Sequence, residues 1–265
     1  MKLPDRLLPE FVKPPIYKVY EGRLTQKLDR DHLPQHIGVI LDGHRRYAKA
    51  EGYEDFTRSY RAGMRKFETF LEWASVLELE AITAWVLSTE NLNRPPEELA
   101  PYFQVLIDLF ERLPMTAGEC GYSVRFIGSL DLLPTDLTTA AKRVTELTAG
   151  RDRVLNIAMG YGGRQEIVDA VADLVDTLYG EGVAPAKMSE HISAAAIGNH
   201  MYAPDVPDPD LVIRTSGESR LSGFLLWQSA YSEFSFVDVY WPAFRRVDFL
   251  RAMRDYSRSE RRFGK

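Results

Sequence analysis

A carboxylate, a glycine and two arginines follow directly after the first apolar run of the sequence. The run spans Ile37–Leu41, and the next residues are Asp42-Gly43-His44-Arg45-Arg46. Backbone N–H groups at a helix start, the helix dipole and guanidinium forks all favour a bound anion, so this segment predicts a phosphate site. The alternative interpretation is that Asp42 only caps the helix and that both arginines are solvated.

Three later segments also place polar residues after apolar runs. Ser88–Pro95 brings a glutamate, two amides and an arginine together before a helix start, which is more than helix capping requires. Gly160–Arg164 is rich in glycine, a weak signal by itself. Arg214–Ser222 sets two arginines beside serine, threonine and glycine, which suits a diphosphate because charge-assisted hydrogen bonds must replace its hydration. Three arginines near the C-terminus rank below these: Arg258, Arg261 and Arg262.

Short apolar runs alternate with helical periodicity along most of the chain. The runs predict strands buried on both faces of a parallel sheet, namely Ile37–Leu41, Ala81–Leu87, Val124–Ile127, Val154–Ala158 and Leu211–Ile213. The predicted helix stripes are Met64, Phe67, Leu71, Ala74, Leu77 and Ile167, Val168, Val171, Leu174, Val175, Leu178. We therefore predict an α/β fold with a central parallel sheet surrounded by helices. Ligands of such sheets bind beyond the carboxyl ends of the strands, where the polar segments lie.

Composition and charge limit the class of protein. The 265 residues carry 33 lysines and arginines against 38 aspartates and glutamates, and the net charge of −5 argues against a nucleic-acid partner. Cys120 is the single cysteine, so no internal disulfide is expected and a reducing compartment, the cytoplasm, is favoured. No stretch reaches the roughly 18 apolar residues that span a bilayer, so we expect a soluble protein, at most peripheral at a membrane.

Residues 1–35 are predicted to form an N-terminal extension with one short helix, and residues 36–265 a single domain. Apolar residues recur at every fourth position of the extension, at Ile16, Tyr20, Leu24 and Leu28. This stripe is predicted to pack on its own domain or on a partner subunit, with a membrane surface as the alternative. The segment Pro101–Leu113 is apolar nearly all round, which is typical either of a buried helix or of the wall of an apolar cavity.

Several segments together resemble the cis-prenyltransferases, the undecaprenyl diphosphate synthase family. They are HIGVILDGHRRYAKAEGY, LSTENLNRPPEE, NIAMGYGGRQEI, DPDLVIRTSGESRLSGFLLWQSAYSE and RRFGK, in the family's order from about residue 36 to the end. The resemblance implies a homodimer, a parallel sheet ringed by helices with an apolar tunnel, and a catalytic domain over residues 36–265. It also implies magnesium-assisted condensation of isopentenyl diphosphate with an allylic diphosphate, which forms a Z double bond and releases diphosphate.

The resemblance also assigns roles to individual residues. Asp42 resembles the essential carboxylate at the magnesium and diphosphate, Glu233 the second magnesium carboxylate, and Asn91 the amide assigned to proton transfer. We weigh an alternative for Asn91, because a neutral amide is a poor proton acceptor and the departing diphosphate or Asp42 can serve as the base. The remaining residues implied to bind substrate are Gly43, His44, Arg45, Arg46, Tyr47, Ser88, Thr89, Glu90, Leu92, Arg94, Arg214, Arg220, Leu221 and Ser222.

The sequence departs from the family pattern at several positions. His44 stands where the family has asparagine, Tyr47 where it has tryptophan, and Leu92 where it has an aromatic residue. Between Tyr53 and Gly63 the family often places an arginine and a histidine on the allylic diphosphate, whereas this chain has Asp55, Arg58 and Tyr60 at a spacing that does not align with them. His44 also leaves open a head-to-middle prenyltransferase, as in relatives of that type.

One prediction concerns the length of the product. Strand alternation puts Trp85 and Leu87 on one side and Val86 on the other, where long-chain members keep a small residue. Val86, with Phe103 or Phe110, is therefore predicted to close the tunnel and give a short product, Z,E-farnesyl diphosphate. The alternatives are a long-chain undecaprenyl or decaprenyl diphosphate synthase and a non-catalytic partner subunit of the same fold.

His44 is predicted to carry a proton and to add a cation beside the allylic diphosphate. The alternative is a neutral imidazole that only replaces the hydrogen bond of the family's amide.

Overall fold

The computed structural model describes residues 13–259, with their side chains from Tyr20 onward, and divides them into two compact units. The larger unit is residues 35–243, and the smaller joins the residues before 35 to those from 244 onward. The predicted boundary between an extension and a catalytic domain stays a prediction. Arg261 and Arg262 lie outside the described residues, as does the side chain of Ile16.

The larger unit is built on a six-stranded sheet in which every paired strand is parallel. Its strands are β1 (His36–Ile40), β2 (Ala81–Ser88), β3 (Tyr122–Ile127), β4 (Arg153–Tyr161), β5 (Leu211–Arg214) and β6 (Glu233–Phe236). They lie in the order β3-β4-β2-β1-β5-β6. Every residue of β1 and β2 is buried, as a strand covered on both faces requires. The five predicted strands are confirmed, and β6 is an additional edge strand.

Helices connect the strands. They are α1 (Lys13–Gln26), α2 (His44–Ala50), α3 (Thr57–Val76), α4 (Pro96–Glu119), α5 (Thr135–Thr148), α6 (Gly163–Gly180), α7 (Ala194–Gly198) and α8 (Arg246–Ser257). Short 3-10 turns occupy Arg30–His32, Glu90–Asn93, Leu130–Leu132, Pro185–His191, Gln228–Tyr231 and Trp241–Ala243. The predicted α/β class with a central parallel sheet is confirmed.

The predicted apolar stripes fit the helices unequally. All five predicted stripe residues between Met64 and Leu77 are buried. On α6 the predicted residues Leu174 and Leu178 are buried, but the prediction is wrong at Val168, whose side chain is 60% exposed, because the buried face continues through Glu166 and Ala170. Because Glu166 is charged, a search for apolar residues does not recognise it as part of the buried face of α6.

The smaller unit pairs α1 with α8, and the Arg251 guanidinium lies 5.2 Å from the centre of the Tyr20 ring. Leu24 and Leu28 are buried, which agrees with the predicted packing of this stripe, and a contact with a membrane surface stays a prediction. Within the described residues, no helix is long and apolar enough to cross a bilayer.

Candidate functional site

The carboxyl ends of three neighbouring strands meet at one edge of the sheet, because β1 pairs with both β2 and β5. A pocket of about 420 Å³ lies at this edge. The predicted site residues that line it are Asp42, Gly43, His44, Arg45, Arg46, Ser88, Asn91, Arg94, Arg214 and Ser222. The remainder of the lining is Ile40, Leu41, Lys49, Tyr60, Trp85, Val86, Leu87 and Tyr102. Charged groups and apolar side chains therefore share one pocket.

Asp42 lies between two guanidinium groups. Its Oδ2 accepts hydrogen bonds from Arg214 Nη2 at 2.8 Å and from Arg46 Nη2 at 3.3 Å. Burial by itself would raise the pKa of Asp42, but hydrogen bonds from Arg214 and Ser216 and the charges of Arg214 and Arg46 hold this pKa below its usual value. The carboxylate is thus ionised at neutral pH and is a weak base.

Gly43 forms the turn that brings Asp42 and α2 to the pocket. Its φ of 105° lies in the left-handed region that favours glycine. A Cβ at this position would lie 2.8 Å from a ring carbon of Tyr240 and 3.1 Å from Cβ of Ser216. Both the backbone conformation and the close packing therefore require glycine here.

Arg214 anchors the segment that follows β5. It is almost fully buried, and its Nη1 donates to the carbonyl oxygen of Arg220 and, at 2.8 Å, to Ser222 Oγ. Its Nε is buried with no hydrogen-bond partner among the described residues. An orphaned guanidinium N–H beside a pocket fits an anionic ligand, because a buried donor without a partner is unfavourable.

Glu218 was not singled out in the sequence, yet it links two arginines of the site. Its carboxylate accepts from Arg46 Nη1 at 2.9 Å and pairs with Arg220 Nη2 at 3.2 Å. The Arg220 side chain is 71% exposed and is not part of the pocket lining, although its carbonyl oxygen holds Arg214. Glu218 therefore orients Arg46, with a smaller effect on the solvated Arg220.

A second polar cluster joins the segment after β2 to helices α3 and α4. Glu98 accepts hydrogen bonds from Tyr60 Oη at 3.0 Å and from Arg94 Nη1 at 3.1 Å, and Arg45 Nη1 lies 3.7 Å from it. Arg94 Nη2 donates to Asn91 Oδ1 at 2.7 Å. A guanidinium has only donors, so the amide oxygen of Asn91 must face Arg94. The oxygen is thereby engaged, and the amide nitrogen remains to donate.

Other predicted site residues lie outside the pocket lining of the described chain. They are Tyr47, Thr89, Glu90, Leu92, Arg220, Leu221 and Glu233. The Tyr47 ring packs edge-on against Tyr53 at 6.1 Å, and Leu221 packs on the buried apolar cluster around Trp85 and Phe224. The binding roles of these seven residues stay predictions.

Glu233 starts β6 at the end of the sheet away from the pocket. Its register partner is Leu211, whereas Arg214 at the pocket edge pairs with Phe236. Three residues of parallel strand span roughly 10 Å along the strand axis. This register keeps Glu233 away from Asp42 within one chain. The sequence does not reveal the register of β6, so the separation could not be predicted.

The ladder between β2 and β4 is irregular where regular alternation was predicted. Trp85 and Leu87 pair with consecutive residues of β4, Ala158 and Met159, so Val86 has no register partner, as in a β-bulge, and a second shift follows between Leu87 and Ser88. The bulge lets Trp85, Val86 and Leu87 all line the pocket. Val86 thus reaches the pocket as predicted, but not by strand alternation.

His44 is buried against α3, where burial favours a neutral ring, and a cationic ring beside a bound diphosphate stays a prediction. Burial, together with the charge of Arg94, lowers the pKa of His44 to about 4 despite opposing effects of Asp42 and the Leu41 backbone. Nε2 has no hydrogen-bond partner among the described residues. A Cβ on Gly63 would lie only 2.1 Å from this nitrogen, so the glycine makes room for the ring.

We expect the His44→Asn variant to show the same pH dependence as the wild type. A group with a pKa of about 4 is already neutral across roughly pH 6 to 9, so it adds no titration there. The measurement is KM for the allylic diphosphate against pH in both proteins. A wild-type KM that rises through about pH 6 to 7, with a flat profile for His44→Asn, would restore the cationic interpretation.

The pocket could hold a magnesium ion only if a bound diphosphate supplied some of its ligands. No group of three or more histidine, cysteine, aspartate or glutamate residues in residues 13–259 is arranged to hold a metal. Asp42 supplies one carboxylate at the pocket. Magnesium commonly takes one or two carboxylates, several waters and substrate phosphates, so Asp42 together with a bound diphosphate suits this ion.

The fold and the site define an α/β protein whose pocket suits a phosphorylated ligand with an apolar tail. A family model described as "Putative undecaprenyl diphosphate synthase" matches residues 40–264. The chain therefore belongs to the undecaprenyl diphosphate synthase family of prenyl-transferring enzymes.

Several known proteins are similar to this chain. Isoprenyl transferase 1 of Corynebacterium diphtheriae is 46% identical over 250 residues, covering 94% of each chain. The (2Z,6E)-farnesyl diphosphate synthase of Mycolicibacterium smegmatis is 45% identical over 98% of this chain and 99% of its own. The crystal structure of lavandulyl diphosphate synthase from Lavandula x intermedia with dimethylallyl diphosphate superposes with a TM-score of 0.82 at 29% identity, covering 89% of this chain and 100% of that one.

Proposed function

We propose that the chain condenses isopentenyl diphosphate with an allylic diphosphate and gives a short Z-configured prenyl diphosphate, Z,E-farnesyl diphosphate. The observation that carries the proposal is one pocket in which Asp42, Arg46 and Arg214 share the lining with Trp85 and Tyr102. The arginines suit diphosphates and the aromatic side chains suit prenyl tails. The similar proteins named for (2Z,6E)-farnesyl diphosphate and short-chain Z-isoprenyl diphosphate support a short product.

The arginines around Asp42 account for binding and for departure of the leaving group. In the proposed reaction the C–O bond of the allylic substrate breaks, diphosphate leaves with the electron pair, and the allylic carbon bonds to the double-bond carbon of isopentenyl diphosphate. Arg46 and Arg214 would stabilise the charge that develops on the diphosphate, and the apolar side chains in the lining would surround the cationic carbon. When bound, magnesium would supply further positive charge at Asp42.

A proton must then leave the isopentenyl unit to form the new double bond. The pKa of Asp42 lies below its usual value, and burial only partly opposes its arginines, so Asp42 is a weak acceptor. The oxygen of Asn91 is engaged by Arg94. We therefore propose that the departing diphosphate takes the proton and that the Asn91 amide nitrogen orients a diphosphate oxygen. Glu233 as a second magnesium carboxylate stays a prediction.

The exposed edge of the sheet supports a homodimer. Phe234 and Phe236 on β6 are 40% and 43% exposed, and their rings stack at 6.2 Å with an interplanar angle of 11°. Tyr231, just before the strand, is 80% exposed. An unpaired parallel edge strand bearing adjacent aromatic side chains is normally covered. The resemblance implies a homodimer, and we propose that the β6 face of a second copy covers this edge. We propose the cytoplasm as the location.

We expect Phe236→Asp to convert the dimer to a monomer, because the carboxylate would have to be buried without a partner. The measurement is molar mass by light scattering on a sizing column. Leu147→Asp on α5 is the matched control, since Leu147 is 54% exposed and α5 packs near β3 at the opposite sheet edge. A Phe236→Asp protein that stays dimeric would exclude this face as the interface.

The proposed reaction is tested by release of diphosphate from isopentenyl diphosphate plus a C10 allylic primer. We expect release to require both substrates and a divalent cation, and to stop with a chelator. No release under any of these conditions would favour the non-catalytic partner subunit instead.

A further inference from the structure

Tyr102 is held against the pocket by two contacts. Of α4, whose residues are all described, Tyr102 alone lines the pocket. Its hydroxyl donates to the carbonyl oxygen of Val86 at 2.7 Å, and its ring centre lies 4.6 Å from that of Tyr60. Burial raises the pKa of Tyr102, so the phenol remains a donor. Both ends of the side chain are therefore fixed.

The carbonyl that Tyr102 holds belongs to the bulged residue of β2. Val86 has no register partner on β4, and a buried carbonyl needs a hydrogen-bond donor. The hydroxyl of Tyr102 supplies it and ties α4 to β2 at the position of Val86. Tyr60 is fixed in turn by its own hydrogen bond to Glu98 at 3.0 Å. Neither ring can swing aside without leaving a buried polar group unpaired.

Beyond Tyr102 the same face of α4 is apolar. Leu106 and Leu109 follow at helical spacing, and both side chains are fully buried. A smaller residue at position 102 would therefore open the pocket towards hydrocarbon side chains. Such a surface accepts an alkyl chain but not a diphosphate.

We propose that the ring of Tyr102 is the stop that limits product length in this chain, with its bond to the Val86 carbonyl keeping the stop closed. The inference rests on the proposed function, because it assumes that a prenyl chain grows along this pocket. It adds a residue of α4 to the predicted closure by Val86 and assigns the stop to Tyr102 rather than to Phe103 or Phe110. Phe110 packs instead edge-on against Phe126 at 4.9 Å.

The test is product length from isopentenyl diphosphate and a C10 allylic primer, read by chromatography after removal of the diphosphate. We expect Tyr102→Ala to shift the main product by at least one isoprene unit. Tyr102→Leu, which keeps a buried apolar side chain, should give the same direction of shift and carries the test if the alanine variant does not fold. Thermal melting establishes folding of each variant.

One conservative variant separates the ring from its hydroxyl, and a second serves as its control. We expect Tyr102→Phe to give the wild-type product together with a fraction that is one unit longer, because the ring is present but no longer tied. Tyr122→Phe is the matched control, since Tyr122 also donates to a backbone carbonyl, that of Leu79 at 3.0 Å, but lies outside the pocket lining. Its product should remain that of the wild type.

Wild-type product length from folded Tyr102→Ala and Tyr102→Leu proteins that consume both substrates would overturn the proposal. A Tyr102→Phe distribution identical to that of the wild type would overturn the role of the hydroxyl. Failure of the wild type to join the substrates at all would instead contradict the proposed function, so the two failures are distinguishable.

Discussion

Replacing Asp42 with alanine is expected to lower kcat by on the order of 10²- to 10³-fold, the usual loss when one preorganised electrostatic group is removed from an active site. The reason lies in the two guanidinium groups that Asp42 holds at 2.8 and 3.3 Å. Without the carboxylate, Arg214 and Arg46 each lose one of the contacts that orient them, and the proposed magnesium ion would lose its protein ligand at the pocket. Steady-state kinetics with both diphosphates measures the effect.

Asp42→Asn separates charge from shape. The amide keeps the side-chain size and one acceptor oxygen, but removes the negative charge that a hard cation prefers. We expect the kcat of Asp42→Asn to be nearly as low as that of Asp42→Ala, while its melting temperature stays close to that of the wild type. Near-normal turnover by either variant would refute the role of Asp42 at the reacting diphosphate.

Gly63→Ala is expected to lower the free energy of unfolding by about 1 to 3 kcal/mol, the usual loss on overpacking a core. The added methyl would lie 2.1 Å from His44 Nε2 and 3.2 Å from a ring carbon of Trp241. The His44 ring is buried, and the Trp241 ring is held by its Nε1, which donates to the Gly63 carbonyl at 2.8 Å. Urea denaturation followed by circular dichroism gives the difference in stability.

A second substitution, at His44, tests whether the clash with the imidazole causes the loss of stability. In a His44→Asn background the clash with the imidazole disappears, so Gly63→Ala should recover most of the lost stability, and the greater helix propensity of alanine adds to the recovery. Gly180→Ala at the end of α6 is the control, because nothing lies within 4 Å of its added Cβ. If Gly63→Ala is equally unstable with either residue at position 44, the His44–Gly63 contact is not its cause.

The sequence predicted the parts of the fold that depend on continuous burial. β1 and β2 are buried along their whole length, and their apolar runs show it directly. β6 was not predicted, because an edge strand of four residues with alternating exposure has no continuous apolar run. Its register with β5 was equally hidden, and this register is what separates Glu233 from Asp42.

The site residues that follow strand ends could be predicted from the sequence, whereas those on helices could not. Asp42, Asn91 and Arg214 each follow or end a strand, so the parallel sheet brings them together. Glu98 and Tyr102 project from α4, and their positions depend on how that helix packs. The charge of His44 also depends on packing, because it is burial that lowers its pKa.

Product analysis tests the central claim most directly. The purified protein is incubated with isopentenyl diphosphate and a C10 allylic primer in the presence of magnesium, and the dephosphorylated products are separated against Z and E standards. The account predicts one main C15 product with a new Z double bond. A branched head-to-middle product, chains of C50 or longer, or no condensation at all would contradict it.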